Sequence, residues 1–252
     1  MKRMALVFAA LLIGAAALSA AGRSETTDGE RVVKVATDAT WPPMQFIDEN
    51  RQLVGYDIDL MNAVAEAAGF RVEFQNTAWD GIFAGLATGE YDAVISSVTI
   101  TEERRATMDF SIPYINAGQV LIVPQSTTGV ETLADLSGQR VGAQIGTTGS
   151  FAIEDAEGVQ LVTYDELGLA IADLANGRIA GVVADTPIAA DYVLQNEEYS
   201  DTLMIVGEPF TDEYYGIAVR KGNSELLALI NGGLETVLSS DLPRQLEAKW
   251  LR

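Results

Sequence analysis

LATGEYDAVISS, residues 86–97, and LANGRIAGVVAD, residues 174–185, align without a gap. Each closes a helical stretch, stops on a glycine (Gly89, Gly177), runs through an apolar strand and finishes on a polar tip, Ser97 in one and Asp185 in the other. A glycine past a helix end and a short apolar run bounded by turn residues mark a helix–turn–strand unit. Ligands of open α/β sheets bind beyond the carboxyl ends of the strands. Two such units with polar tips at matching points predict two lobes facing one cleft. Any two helix–strand units look broadly alike, but here stop, strand and tip match in order throughout.

The flanking sequence extends this pattern. Residues 31–36 alternate around Val33 and Val35 as a first strand, and residues 37–43 form a loop whose Pro42 and Pro43 oppose both helix and ladder. A helix is predicted over 57–68, with Asp57 as its cap, Leu60, Met61, Val64 and Ala68 on its apolar face and Gly69 as its stop. A strand over 70–74, a helix over about 80–87 and the strand 93–97 complete β-α-β-α-β, the order of a mostly parallel sheet. The second half repeats the theme with a strand at 140–145, helices from 149 and over 164–176, and a strand at 179–184. A last strand at 216–220 and two C-terminal helices follow.

The chain of 252 residues carries a net charge of −20 and contains neither cysteine nor histidine. Lys2 and Arg3 precede an uncharged apolar run that closes on Ser19-Ala20-Ala21, the form of a cleaved export signal over residues 1–21. Residues 22–30 read as a flexible N-terminal segment. Removing the signal takes away two cations and no acid, so −20 becomes −22. That surface repels nucleic acid and anionic lipid. An exported chain with no disulfide must rely on its core. A soluble periplasmic protein, monomeric by default, is expected.

The missing residue types exclude much chemistry. Without histidine or cysteine there is no Ser-His-Asp triad, no thiolate nucleophile and no imidazole metal site. Glycine-rich phosphate and dinucleotide motifs are absent as well. Neither a cofactor nor a metal is expected, and reversible capture without catalysis is the reading.

Three constellations remain. Thr101 can cap a helix whose first turn holds Glu102, Glu103 and then Arg104, a cation at the end where cations are least favoured. Either Arg104 pairs with those glutamates on a wet face, or it grips an outside anion beside the tip of Ser97 and Thr99. Arg105 reads as the solvated partner. GAQIGTTGSF, residues 142–151, carries Gln144, Thr147 and Thr148 into a helix start. That turn suits an anion but also serves as an ordinary loop. Asp38, Trp41 and Trp79 can form an aromatic slot with an acidic end, or a turn and two core tryptophans.

GYDIDLMNAVAEAAG, residues 55–69, resembles the signature of the bacterial extracellular solute-binding proteins, family 3, which deliver polar amino acids to ABC importers. The likeness continues through ATDATWPPMQF (36–46), AVISSVTITEER, VGAQIGTTGS and EYYGIAVRKGN (213–223). The resemblance implies an α/β, two-lobe periplasmic-binding-protein-like type II fold, each lobe a mostly parallel sheet flanked by helices. Lobe 1 would comprise 31–117 and 214–252, lobe 2 would comprise 118–213, and the hinge would lie near 117–120 and 213–216. It also implies roles: Arg104 and Thr148 on the ligand's carboxylate, and Asp185, Ser97 and Thr99 on its ammonium. Trp41 and Trp79 would sandwich the side chain, Asp38 would meet its far end, and Gln144 and Thr147 would belong to the same pocket. A basic L-amino acid of the arginine/lysine type is expected, with glutamine or histidine as alternatives because Gln144 departs from the leucine of lysine/arginine/ornithine binders. The partners implied are a free amino acid and a membrane permease. A cyclohexadienyl-dehydratase-like enzyme on this scaffold would need a positioned acid, and no glutamate stands at an obvious strand tip facing the cleft.

Overall fold

The computed structural model describes residues 31–251. The expected export signal over 1–21 and the segment 22–30 lie outside those residues. Two five-stranded sheets organise the chain, and they have the same topology. In the first, the spatial order is 71–76, 32–37, 93–94, 218–220, 108–110. In the second it is 160–164, 140–144, 181–185, 119–124, 203–206. The first three strands of each run parallel, the fourth runs antiparallel to them, and the fifth pairs antiparallel with the fourth and so shares the direction of the first three.

The two repeated stretches occupy the central strand of their sheets. Ala93 pairs with Val35 and, at the matching position, Gly181 pairs with Val141. The fourth position in each sheet is filled by the strand that arrives after the chain has crossed between lobes, Gln119–Pro124 in one and Ala218–Arg220 in the other. The crossings themselves pair: Ile115–Asn116 lies antiparallel to Tyr214–Tyr215. This is the two-lobe, type II architecture.

Both sheets are covered on both faces, which is why their strands are so apolar. Val33 and Val35 pack with Leu60, Met61, Val64 and Ile230, while Ala36 and Val94 face Ile82 and Leu86. In the other lobe Val182 and Ala184 meet Ile171 and Leu174, and Val183 turns to Ile153. Successive residues thus serve opposite layers, as the pleat requires.

Four local features differ from the sequence reading. Thr40–Trp41 does form a ladder, antiparallel to Gln45–Phe46, because the prolines fall in the turn beyond it. The first long helix spans Tyr56–Ala68, and its cap is Gly55, not Asp57. Gly55 sits at φ 136°, and a Cβ there would lie 2.2 Å from the Met44 carbonyl oxygen, so only glycine brings these segments together. The strand after Tyr91 ends at Val94 and not at Ser97, which adopts φ 51°. Lastly, the stretch predicted as one helix over 164–176 divides into the end of the strand Gln160–Tyr164 and the helix Leu167–Ala175.

Candidate functional site

The carboxyl ends of the two central strands meet across the cleft. Around the narrow space between them stand Trp41, Trp79, Ser96, Ser97, Thr99 and Arg104 from one lobe and Thr147, Thr148 and Asp185 from the other. Eight of the ten residues singled out from sequence therefore share one cavity. Gln144 and Asp38 form its adjoining wall. Trp41 donates its indole N–H to the Gln144 side-chain carbonyl, and Gln144 Nε2 donates to Asp38 Oδ2 at 3.1 Å and to the Asp165 carbonyl at 2.8 Å. Beyond that wall Asp38 opens onto a groove with Asp165 and Glu166.

Arg104 is the third residue of the helix Glu102–Thr107, whose cap is the Thr101 hydroxyl. Its side chain turns inward and is only 9% exposed. Nη1 donates to the Thr99 carbonyl at 2.9 Å and Nη2 to the Gly146 carbonyl at 3.2 Å, so it touches both lobes. The guanidinium carbon lies 5.4 Å from the Trp79 ring centre and 5.2 Å from that of Phe83, within cation–π range. Among the described residues no carboxylate comes within ion-pair distance of it. Arg105 instead takes the exposed pairing with Glu102, at 3.8 Å. Burial lowers the Arg104 pKa, opposed by the negative charges of Asp185 and Glu213.

Asp185 ends the central strand of the second lobe and is 3% exposed. Oδ1 accepts from Gln119 Nε2 at 2.6 Å, and Oδ2 accepts from the Tyr215 hydroxyl. It too lacks a cationic partner at ion-pair distance. Burial pushes its pKa up to about 7 despite those two donors, with Glu213 adding to the rise. Asp38 is raised for the same reason, opposed by hydrogen bonds from Thr40 and Gln144.

Thr147 caps the helix Thr148–Asp155, its hydroxyl accepting from the Ser150 N–H at 3.2 Å. The Thr148 hydroxyl donates to Glu213 Oε2 at 2.6 Å and accepts from Gln119 at 3.1 Å. A hydroxyl has one proton, so with Glu213 as its acceptor the Thr148 side chain has none left to donate to a further anion.

Glu213 lies just outside the residues that line the cavity, bonded to one of them. It directly precedes the strand Tyr214–Tyr215, and its carboxylate accepts from Thr148. Gln119, Tyr215 and Asp57 were also missed, because the contacts that matter span 29 to 66 residues of chain.

A fold of two matched α/β lobes with charged groups buried between them defines a hinged, cleft-binding protein. The family model for bacterial extracellular solute-binding proteins, family 3, matches residues 33–252, and the chain belongs to that family. It is 35% identical to a probable histidine-binding protein of Neisseria gonorrhoeae over 97% of this chain and 94% of that one. It is 33% identical to the L-cystine-binding protein TcyJ of Escherichia coli K12, over 86% and 81% respectively. Among solved structures it resembles an ancestral arginine-binding protein bound to arginine, at 42% identity and a TM-score of 0.83, covering 88% of this chain and 98% of that one.

Proposed function

We propose that this protein is the periplasmic substrate-binding component of an amino-acid ABC importer, and that it takes a basic L-amino acid of the arginine/lysine type. The observation that carries the reading is a pair of unmatched buried charges in one cleft, Arg104 and Asp185. Buried charges are costly unless paired. Among the described residues neither has a counter-charge at ion-pair distance, and they have opposite sign. A zwitterion supplies both counter-charges at once, its carboxylate toward Arg104 and its ammonium toward Asp185, with Ser97 and Thr99 alongside.

In this reading Trp41 and Trp79 flank the ligand's side chain and Asp38 meets its far end. The groove shared by Asp38, Asp165 and Glu166 gives that end a negative potential, which favours a cation. Closure works by population shift: the ligand bonds to groups from both lobes, and only the closed form offers all of them. The permease would read that form. The hinge is the paired segment Ile115–Asn116 with Tyr214–Tyr215, so lobe 1 is assigned to 31–117 and 214–252 and lobe 2 to 118–213. Charge-assisted hydrogen bonds of about 1.5–3 kcal/mol each support binding of roughly micromolar strength or tighter.

The experiment is a thermal-shift screen over the proteinogenic amino acids and ornithine, followed by calorimetry on those that stabilise. Arginine or lysine raising the melting temperature most supports the reading. No shift from any amino acid at millimolar concentration contradicts it. Glu213 favours a second reading, an enzyme resembling cyclohexadienyl dehydratase, since it sets a carboxylate at the cleft's edge. Its hydrogen bond from Thr148 ties it to the wall, and incubation with prephenate or arogenate is expected to give no turnover.

A further inference from the structure

The polar tip at Ser97 has a backbone conformation that the clamp residues do not explain. Ser97 is a non-glycine residue at φ 51°, in the left-handed region that L-residues other than Asn, Asp and Gly rarely occupy. Such a conformation persists only where its surroundings over-determine it. Here the holder is Asp57. It is fully buried in the helix Tyr56–Ala68, and its Oδ2 accepts the Ser97 backbone N–H at 2.7 Å. Its other oxygen accepts the Tyr114 hydroxyl at 2.9 Å. Tyr114 immediately precedes the hinge strand Ile115–Asn116, and its own N–H donates to the Tyr215 carbonyl at 3.0 Å.

Downstream of Ser97 the consequences reach the clamp. Residues 98–100 run beside the second hinge segment, Gly216 N–H bonding the Val98 carbonyl at 3.0 Å and Ile100 N–H the Tyr214 carbonyl at 2.8 Å. The Thr99 carbonyl in that stretch is the acceptor that orients Arg104. We propose that Asp57 is a positioning residue of the ligand site: it holds Ser97 in its left-handed turn, thereby aims Arg104 through Thr99, and ties that arrangement to the hinge through Tyr114. The assignment rests on the binding function proposed above, but Asp57 itself does not line the cleft.

Asparagine can replace Asp57 geometrically, its carbonyl accepting from Ser97 and its amide donating to the Tyr114 oxygen. Alanine can do neither. The test is calorimetry with whichever of L-arginine, L-lysine, L-histidine and L-glutamine binds the wild type best. It is joined by hydrogen exchange of the segment 96–100 in ligand-free protein. Asp57→Asn is expected to keep affinity within about threefold, and Asp57→Ala to lose about tenfold or more, since a residual strained turn no longer presents Arg104. Val64→Ala, a fully buried change on the same helix, controls for lost stability and should leave affinity and exchange of 96–100 nearly unchanged. In a Ser97→Gly background, Asp57→Ala should cost less than about threefold, because glycine adopts positive φ unaided. Should Asp57→Ala not fold, Tyr114→Phe and Asp57→Asn decide: the first must loosen 96–100 and weaken binding, the second must not. Equal losses from Asp57→Ala in both backgrounds, or an Asp57→Asn variant as weak as Asp57→Ala, would overturn the proposal. A wild type that binds none of the four amino acids overturns the function proposed above, and the exchange measurements then judge the positioning role alone.

Discussion

The Thr148 hydroxyl donates a hydrogen bond to Glu213 Oε2 at 2.6 Å, linking the helix start of one lobe to the segment that returns to the other. Glu213 also lies 3.4 Å from Gln119 Nε2, which in turn holds Asp185. This network fixes the Asp185 side of the cleft and adds negative charge there. Glu213→Gln is expected to weaken amino-acid binding about tenfold, the scale of one hydrogen bond to a charged group. Calorimetry beside the wild type measures it, and an unchanged affinity would remove Glu213 from the site's working parts.

Asp185 predicts a pH dependence of binding. Its carboxyl titrates near 7 because it is buried, and an ammonium needs the charged form. Ligand binding should therefore expel a proton around neutrality. Affinity should fall by up to about tenfold per unit as pH drops below 7. Titrations between pH 5 and 8 in buffers of different ionisation enthalpy report both effects. Asp185→Asn should bind weakly at every pH, with a flat profile.

Stability without ligand should run the other way. Asp57 and Asp185 both have folded-state pKa values of about 7, above the ordinary 3.8. A raised carboxyl favours the folded state below its ordinary value, and that share is lost as pH rises through about 7. The melting temperature of the free protein should decline from pH 5 to 8, and Asp57→Asn should flatten part of the decline. A slope unaltered by Asp57→Asn would mean that Asp57 titrates as an ordinary aspartate.

Side-chain selection is expected to reside at Asp38. Asp38→Asn should weaken arginine or lysine binding by about tenfold or more, the scale of one charge-assisted contact, while glutamine changes by less than about threefold. Parallel titrations of the three ligands decide this. Equal losses for all three would mean that Asp38 supports the fold of the loop and reads no charge.

Much of this was legible in local sequence. The repeat at 86–97 and 174–185 named the central strand of each lobe, and Thr101 with its two glutamates correctly set Arg104 at the third helical position. Local rules failed where a partner is distant. Asp57 has the spacing of a cap, yet its acceptor role faces Ser97, 40 residues on, and Gly55 takes the capping place. The strand Gln119–Pro124 was passed over because it is buried on both faces and shows no alternation. Glu213 carries no local mark of function at all. Its partner Thr148 lies 65 residues back in the chain.

The most direct test of the whole account is the affinity of Arg104→Ala for L-arginine, compared with wild type by calorimetry on protein shown to be folded. Removing the cation that faces a buried carboxylate should weaken binding at least about a hundredfold. An affinity within a few fold of wild type would mean that the guanidinium between Trp79 and the Gly146 carbonyl holds the lobes together and grips no ligand.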